Sequence, residues 1–357
     1  MKVIADENIP GLDCLPGDWL LQRRPGRAID AALCRDADVL LVRSVTIVDA
    51  SLLDGSEVQF VGSATAGCDH IDVDYLARSS RRFVYAPGCN ANAVVDYVMS
   101  AMLAAFSDEA LLQQRMGIVG FGQVGSRLFA ACDRLGLDIQ VYDPLVETGD
   151  TRQVERFEQL QGCSILSLHV PLSRQGEHAT LKMITAARLQ QFQQLGLLIN
   201  ASRGGVVDGS GLGDYLHNQG RHLRCVLDVW EGEPHIDASL HQHCWLVTPH
   251  IAGYSTAGKR RGTSLVLRQL LGDDALPGEW QTRVHRPADS WALDAASASQ
   301  RVAAYRQQLS TLYSACDDAH RFAGTLSSAD AVQHASLFDD FRKGYALRDE
   351  IDYTALL

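Results

Sequence analysis

Arg203, Glu231, Glu233 and His250 stand where three apolar runs give way to polar residues, in "NASRGGVVD", "DVWEGEP" and "TPHIAGY". A guanidinium, a carboxylate and an imidazole form a set suited to hydroxy-acid oxidation, in which a hydride and a proton leave together. The planar fork of arginine holds a carboxylate or carbonyl oxygen through two contacts and polarises the carbon that gains or loses hydride. Histidine, with an ordinary pKa of about 6.5, takes the alcohol proton as hydride departs. A carboxylate against that imidazole orients it and favours its protonated form. Two acids qualify for this part, Glu231 and Glu233, because extended residues two apart share a face.

A second pattern indicates what takes the hydride. Gly120, Gly122 and Gly125 form G-x-G-x-x-G directly after "MGIV" and before the helical "SRLFAACDRLG". One glycine permits the tight turn, one lets backbone approach a pyrophosphate, and one allows close helix packing. The helix N-terminus then offers free amides to the phosphates. Asp143 ends "IQVYDP" 18 residues past Gly125. A carboxylate there accepts hydrogen bonds from ribose hydroxyls and repels a 2'-phosphate, so the expected cofactor is NAD. Competing chemistries fit less well. His235, His241, His243 and Cys244 cluster, but their spacing matches no structural-zinc pattern, and no metal is expected. A serine-hydrolase G-x-S-x-G elbow is absent.

Such groups converge only if strands and helices alternate, which brings strand ends to one edge of a parallel sheet. The sequence shows that rhythm twice. "KVIAD", "DVLLVRS", "VQFVGSAT" and "RFVYAPG" read as strands, with "VDYLARSS" helical. After a long buried helix near residues 91 to 107 come "RMGIVGFG", "LDIQVYD", "SILSLHV", "LGLLINAS", "LRCVLDVW" and "WLVTPHI". The turn-rich stretch at 272–290 interrupts the pattern, and a helical tail without a convincing strand follows. At 357 residues, two or three domains are expected. A net charge of -11 disfavours nonspecific nucleic-acid binding and points to a small-molecule partner. Nine cysteines without a C-x-x-C pair, and an N-terminus lacking a signal peptide's apolar core, imply a cytoplasmic protein. No apolar stretch is long enough to imply a membrane span.

The islands, together with "DENIP", "VRSVT", "VGSATAGCDHID", "APGCNANAVVDYV", "GIVGFGQVGSRL" and "TPHIAGYSTAGKRRGT", make the chain resemble the D-isomer-specific 2-hydroxyacid dehydrogenases nearly end to end. It resembles more closely the subgroup that oxidises 4-phospho-D-erythronate to 2-oxo-3-hydroxy-4-phosphobutanoate in vitamin B6 biosynthesis. By that resemblance Arg203, Glu233 and His250 are catalytic, and the choice between the acids falls on Glu233. Gly120, Gly122, Gln123, Val124, Gly125, Asp143, Val170, Asp228 and Gly253 fall at cofactor positions. Ser44, Thr65 and Tyr254 fall at substrate positions. Arg43 joins them because "LLVRS" and "SATAG" end strands with groups that can hold an anion. Val170 departs from the subgroup, which usually has threonine there.

The implied architecture is α/β. Residues 1–93 and 256–285 form a flavodoxin-like substrate domain, 94–255 a Rossmann-type NAD domain, and 286–357 a small, mostly helical dimerisation domain. Closure of the first two domains is expected to exclude water and align the reactants. The resemblance implies a homodimer in which a tail arginine, Arg342 or Arg348, reaches the partner's substrate phosphate. Two other readings remain open: another D-2-hydroxyacid dehydrogenase, such as one acting on phosphoglycerate, and a non-catalytic NAD(H)-sensing protein.

Overall fold

Alternation of short apolar runs with helices produces two parallel sheets in the computed structural model, which describes residues 1–218, 220, 222–272, 296–327 and 333–357. The first sheet has the order β2-β1-β3-β4-β5, with β1 Lys2–Asp6, β2 Leu20–Arg24, β3 Val39–Val42, β4 Phe60–Ser63 and β5 Arg82–Tyr85. Its central strands β3 and β4 are buried throughout, as expected of strands covered on both faces. The second sheet has the order β12-β11-β10-β9-β6-β7-β8. Its strands are β6 Arg115–Val119, β7 Asp138–Tyr142, β8 Gln153–Val154, β9 Ile165–Leu168, β10 Leu197–Asn200, β11 Arg224–Leu227 and β12 Leu246–Val247. Strand order reverses between β6 and β9, which opens a crevice at their carboxyl ends.

The sheets belong to two compact units. One comprises Met1–Asn90 with the described residues from Tyr254 to Gly272; the other comprises Ala91–Gly253 with the described residues from 296 onwards. The turn-rich stretch expected at 272–290 lies, apart from Gly272, outside the described residues, as do the boundaries expected at 285 and 286.

Two strands, β2 and β8, have no counterpart in the sequence reading. Both lie at sheet edges. "LLQRR" keeps solvent contact along its length and "QV" spans only two residues, so neither produces an apolar run. The long helix is Ala91–Ala105, ending two residues before the expected 107. It is buried almost throughout, including Asp96, whose carboxylate accepts from the Ile351 amide at 3.1 Å and the Tyr353 hydroxyl at 2.6 Å. Among the described residues no helix is long and apolar enough to cross a membrane.

The tail forms helices Ala298–Leu312, Ala315–Ser327 and His334–Lys343. They do not build a core of their own. Val302, Tyr305 and Leu309 join the cluster on one face of the second sheet, with Tyr97, Val98 and Leu128. Phe322, Leu326 and Phe338 join the cluster on the other face, with Trp230, Ile236 and Leu240. Burying such aromatic and leucine side chains stabilises by about 1.5–3 kcal/mol each, which ties the tail to the sheet that carries the candidate site.

Candidate active site

Strands β10, β11 and β12 are parallel neighbours, so the loops leaving their carboxyl ends lie side by side. Asn200, fully buried at the end of β10, shapes the first loop. Its Oδ1 accepts from the Ser202 amide at 3.1 Å and the Ser202 hydroxyl at 2.8 Å, and its Nδ2 donates to the Arg203 carbonyl at 3.0 Å. Arg203 donates from Nη1 to the Ser202 carbonyl at 2.8 Å. Gly204 then touches the next loop: a Cβ there would stand 2.0 Å from the Trp230 carbonyl oxygen. Only glycine permits that approach, so the Arg203 loop seats directly on the loop that carries the acids.

The two acids have separate surroundings. Glu233 Oε1 accepts from the Trp230 amide at 2.8 Å and its Oε2 lies 2.8 Å from His250 Nδ1. Glu231 points to the other side, with Lys182 Nζ at 3.9 Å and Asp208 sharing that ammonium at 3.0 Å. Burial works to raise the Glu233 carboxyl. The His250 charge and hydrogen bond outweigh it, aided by the Trp230 amide and the Arg342 guanidinium, and hold Glu233 below its ordinary range. An ionised Glu233 accepts from Nδ1–H and leaves Nε2 as the nitrogen with a lone pair.

His250 adopts a left-handed backbone conformation, φ +56°. For a residue other than glycine this costs of order 1–3 kcal/mol and persists only where neighbours enforce it. Asp228, 1% exposed at the exit of β11, provides much of that enforcement. Its carbonyl accepts from the His250 amide at 2.6 Å. Its Oδ1 accepts from the Ile251 amide at 2.8 Å and the Thr248 hydroxyl at 2.7 Å, and its Oδ2 from the Ala252 amide at 3.0 Å. Burial raises the Asp228 carboxyl above its ordinary range, tempered by the His250 charge and these three donors. The Thr248 hydroxyl also lies 2.8 Å from that of Tyr97, and the Trp230 indole donates to the Thr248 carbonyl at 3.0 Å. Asp228 thus faces inward to the turn rather than outward.

The glycine turn after β6 is shaped for a dinucleotide. Gly120 has φ +95°, and a Cβ on it would meet the His169 carbonyl at 2.5 Å and Val170 Cγ1 at 3.0 Å. A Cβ on Gly125 would stand 1.9 Å from the Gly120 carbonyl oxygen. At Gly122, the N-cap of helix Gln123–Leu135, nothing lies within 4 Å of that position. The first and third glycines are therefore required by the turn, while the second leaves open space where a pyrophosphate can meet backbone amides. Gln123 and Val124 begin the helix; Gln123 Oε1 accepts from Arg127 at 2.9 Å and Val124 packs on the core. Asp143, one residue past β7, accepts from the Phe121 amide at 2.7 Å through Oδ2 and from the Leu145 amide at 2.9 Å through Oδ1. Each oxygen keeps a second acceptor site, sufficient for two ribose hydroxyls. Val170 forms an apolar wall beside Gly120, and Gly253 follows directly on the Asp228-held Ala252.

Arg43, Ser44, Thr65 and Tyr254 belong to the first unit. Arg43 and Ser44 follow β3, and Thr65 lies two residues past Ser63, the last of β4, at the carboxyl ends of neighbouring parallel strands. Thr65 donates from its hydroxyl to the Gly67 carbonyl at 2.9 Å and lies 2.7 Å from the Ser63 hydroxyl, itself 3.1 Å from His70 Nε2. Tyr254 has the Lys259 ammonium 5.2 Å from its ring centre. The supporting residues Asn200, Thr248 and Tyr97 escaped the sequence reading. The available signal was a polar residue ending an apolar run, as Asn200 does in "LLIN".

The tail arginines differ. Arg342, half-buried in helix His334–Lys343, lies near enough to Glu233 to act on it. Arg348 is enclosed by its own chain, donating to the carbonyls of Ala93 and Ala252. The histidines near 240 pair separately, His243 with His217 at 5.3 Å between ring centres and His241 with His334 at 5.7 Å. Among the described residues no group of three or more side chains converges as metal ligands.

The family model for the D-isomer specific 2-hydroxyacid dehydrogenase NAD binding domain matches residues 95–252. The erythronate-4-phosphate dehydrogenase of Pseudomonas syringae pv. syringae is 42% identical over 99% of this chain and 93% of its own. That of Pseudomonas putida GB-1 is 43% identical over 100% and 94%. Solved structures share the fold at lower identity. An NAD-bound 3-phosphoglycerate dehydrogenase of Entamoeba histolytica matches with TM-score 0.61, at 22% identity over 76% of this chain and 96% of its own. A D-lactate dehydrogenase of Aquifex aeolicus, with NAD and lactic acid, matches with TM-score 0.64, at 20% identity over 77% and 97%. The glycine turn opens onto a domain that binds NAD, and with full-length identity well above 30% the chain belongs to the erythronate-4-phosphate dehydrogenases, within the D-isomer-specific 2-hydroxyacid dehydrogenase family.

Proposed function

We propose that this chain oxidises 4-phospho-D-erythronate at C2 to 2-oxo-3-hydroxy-4-phosphobutanoate, with NAD, in vitamin B6 biosynthesis. The observation that carries the reading is the Glu233–His250 pair, 2.8 Å apart in loops leaving neighbouring strands, in a chain so similar to enzymes of that name. NAD, when bound, serves as hydride acceptor. His250 takes the 2-hydroxyl proton at Nε2 as the C2–H bond breaks and the C2=O bond forms. Glu233 holds Nδ1–H and stabilises the imidazolium that results. Arg203 anchors the C1 carboxylate or the reacting oxygen. Gly120, Gly122, Gln123, Val124, Gly125 and Asp143 hold the dinucleotide, with Val170 and Gly253 toward its reactive end and Asp228 serving that end through the turn it holds. Arg43, Ser44, Thr65 and Tyr254 bind the substrate.

The strand order 2-1-3-4-5 of the first sheet supports a flavodoxin-like substrate domain, and the reversal between β6 and β9 supports a Rossmann-type NAD domain. The limits expected from sequence, 1–93 with 256–285 and 94–255, differ by two or three residues from the changeovers between the compact units, at Asn90/Ala91 and Gly253/Tyr254. The C-terminal region, 286–357, is assigned to dimerisation of a cytoplasmic homodimer, which sedimentation tests through the mass in solution.

The direct test mixes purified protein with NAD and a panel of phosphorylated and plain 2-hydroxy acids and follows NADH absorbance. Strong preference for 4-phospho-D-erythronate is expected. NADH binding without turnover of any acid would support a sensor instead, and preference for phosphoglycerate would move the assignment within the family. Arg43→Ala is expected to weaken phosphorylated acids selectively; equal loss for plain acids would remove it from the phosphate site.

A further inference from the structure

His250 sits in a turn that the Asp228 carboxylate holds through the amides of Ile251 and Ala252. The carbonyl side of the same turn is held from elsewhere in the sequence. Arg348 donates from Nη2 to the Ala252 carbonyl at 2.7 Å and to the Ala93 carbonyl at 3.0 Å. Its guanidinium carbon lies 3.7 Å from the centre of the Tyr313 ring, and the residue is 8% exposed. Ala252 is therefore gripped at both its groups, N–H by Asp228 and C=O by Arg348.

The placement of Arg348 is itself fixed. Three residues on, the Ile351 amide bonds Asp96 Oδ2 at 3.1 Å, and the Tyr353 hydroxyl bonds Asp96 Oδ1 at 2.6 Å. Asp96 lies one turn beyond Ala93 on the same helix, so Arg348, Ile351 and Tyr353 together fasten the tail to the start of helix Ala91–Ala105. An arginine suits this place because its flat fork can bond two carbonyls from different segments while lying on an aromatic face.

We infer that Arg348 is a positioning residue for His250: by holding the Ala252 carbonyl, the C-terminal region fixes the turn that aims the imidazole at Glu233. The helical tail thereby contributes to the reaction centre of its own chain, apart from any part in dimerisation. This rests on His250 being the proton-transfer group.

The test compares full-length Arg348→Met and Arg348→Lys with wild type, well below the melting temperature of each. Hydrogen exchange is read for the peptide covering residues 246–254, and kcat, KM and the NADH Kd are measured in parallel. For Arg348→Met, exchange at the Ile251 and Ala252 amides is expected to rise at least tenfold and kcat to fall about 10–100-fold. KM and the NADH Kd are expected to change less than about threefold, and lysine, which keeps the charge and donors, to recover part of kcat. Unchanged exchange in that peptide overturns the inference whatever the turnover, as does a lowered melting temperature with unaltered kcat. If wild type fails to oxidise 4-phospho-D-erythronate, the functional reading fails while exchange still judges the role of Arg348. Should Arg348→Met not fold, Tyr313→Leu removes the surface under the guanidinium. Its expected effect is the same in direction and several-fold smaller, and no change in exchange there overturns the inference.

Discussion

The turn after β6 and the loops after β10, β11 and β12 lie at the same edge of one sheet yet work by different physics. The glycine turn uses shape. Two of its glycines are fixed by carbonyl oxygens that a methyl would strike, and the third leaves a space. The loops after β10, β11 and β12 use charge. Glu233 Oε2 meets His250 Nδ1 and the Asp228 carboxylate holds the Ile251 and Ala252 amides, all across loops distant in sequence, and His250 keeps an unfavourable backbone conformation. A site for a conserved ligand backbone such as pyrophosphate can be built from main chain alone. A site that moves a proton needs side chains with set protonation, and these must be held from several directions.

That contrast can be broken or sharpened by substitution. The largest effect is expected from His250→Ala: a kcat loss of about a thousandfold, with NADH fluorescence titration showing nearly unchanged affinity. If affinity falls in step with kcat, the two regions are not separable. Gly125→Ala comes next, because its methyl would sit 1.9 Å from the Gly120 oxygen. NADH affinity should fall about a hundredfold, with a melting temperature lower by about 4 °C or more. Glu233→Gln keeps the shape and removes the charge, so kcat should drop about 10–100-fold with little change in NADH affinity. The same variant tests the pH dependence of stability. The Glu233 carboxyl is held below its ordinary range, so its contribution is present above about pH 4.5 and lost as pH falls through the depressed folded value. Melting curves from pH 6 to 3 should show a shallower acid decline for the variant; an unchanged slope would mean that the carboxylate gains nothing from its surroundings.

Gly122→Ala should leave the melting temperature within about 2 °C, since nothing stands near the new methyl, yet weaken NADH about tenfold by occupying pyrophosphate space. Intact affinity would place the phosphates elsewhere. Glu231→Gln, which disturbs only a partly exposed contact with Lys182, should change kcat less than about twofold. A loss matching that of Glu233→Gln would reverse the choice between the acids.

Much of the fold was legible because parallel strands buried on both faces are continuous apolar runs, as in "VLLV" of β3 and "LLIN" of β10. Edge strands β2 and β8 were not, since solvent on one side removes that signal. In the candidate site, the glycine turn was readable because every requirement falls within six consecutive residues. Glu231 and Glu233 were not distinguishable from spacing, because both lie two apart after the same strand. Thr248 and Tyr97 carried no functional mark, being polar residues whose importance arises only from what they touch, and Asn200 was marked only as the polar end of an apolar run.

The sequence alone determined the alternating α/β rhythm, the strand-turn-helix for a dinucleotide, and the residue types available at three strand ends, since each depends on neighbours along the chain. Tertiary structure alone decided that His250 Nδ1 meets Glu233 rather than Glu231, that Asp228 turns inward to hold the following amides, and that Arg348 is spent on the Ala93 and Ala252 carbonyls. Those are contacts across 17 to 255 residues of chain. At that separation no local periodicity operates, and packing of the sheet and the helical tail determines which donors and acceptors meet.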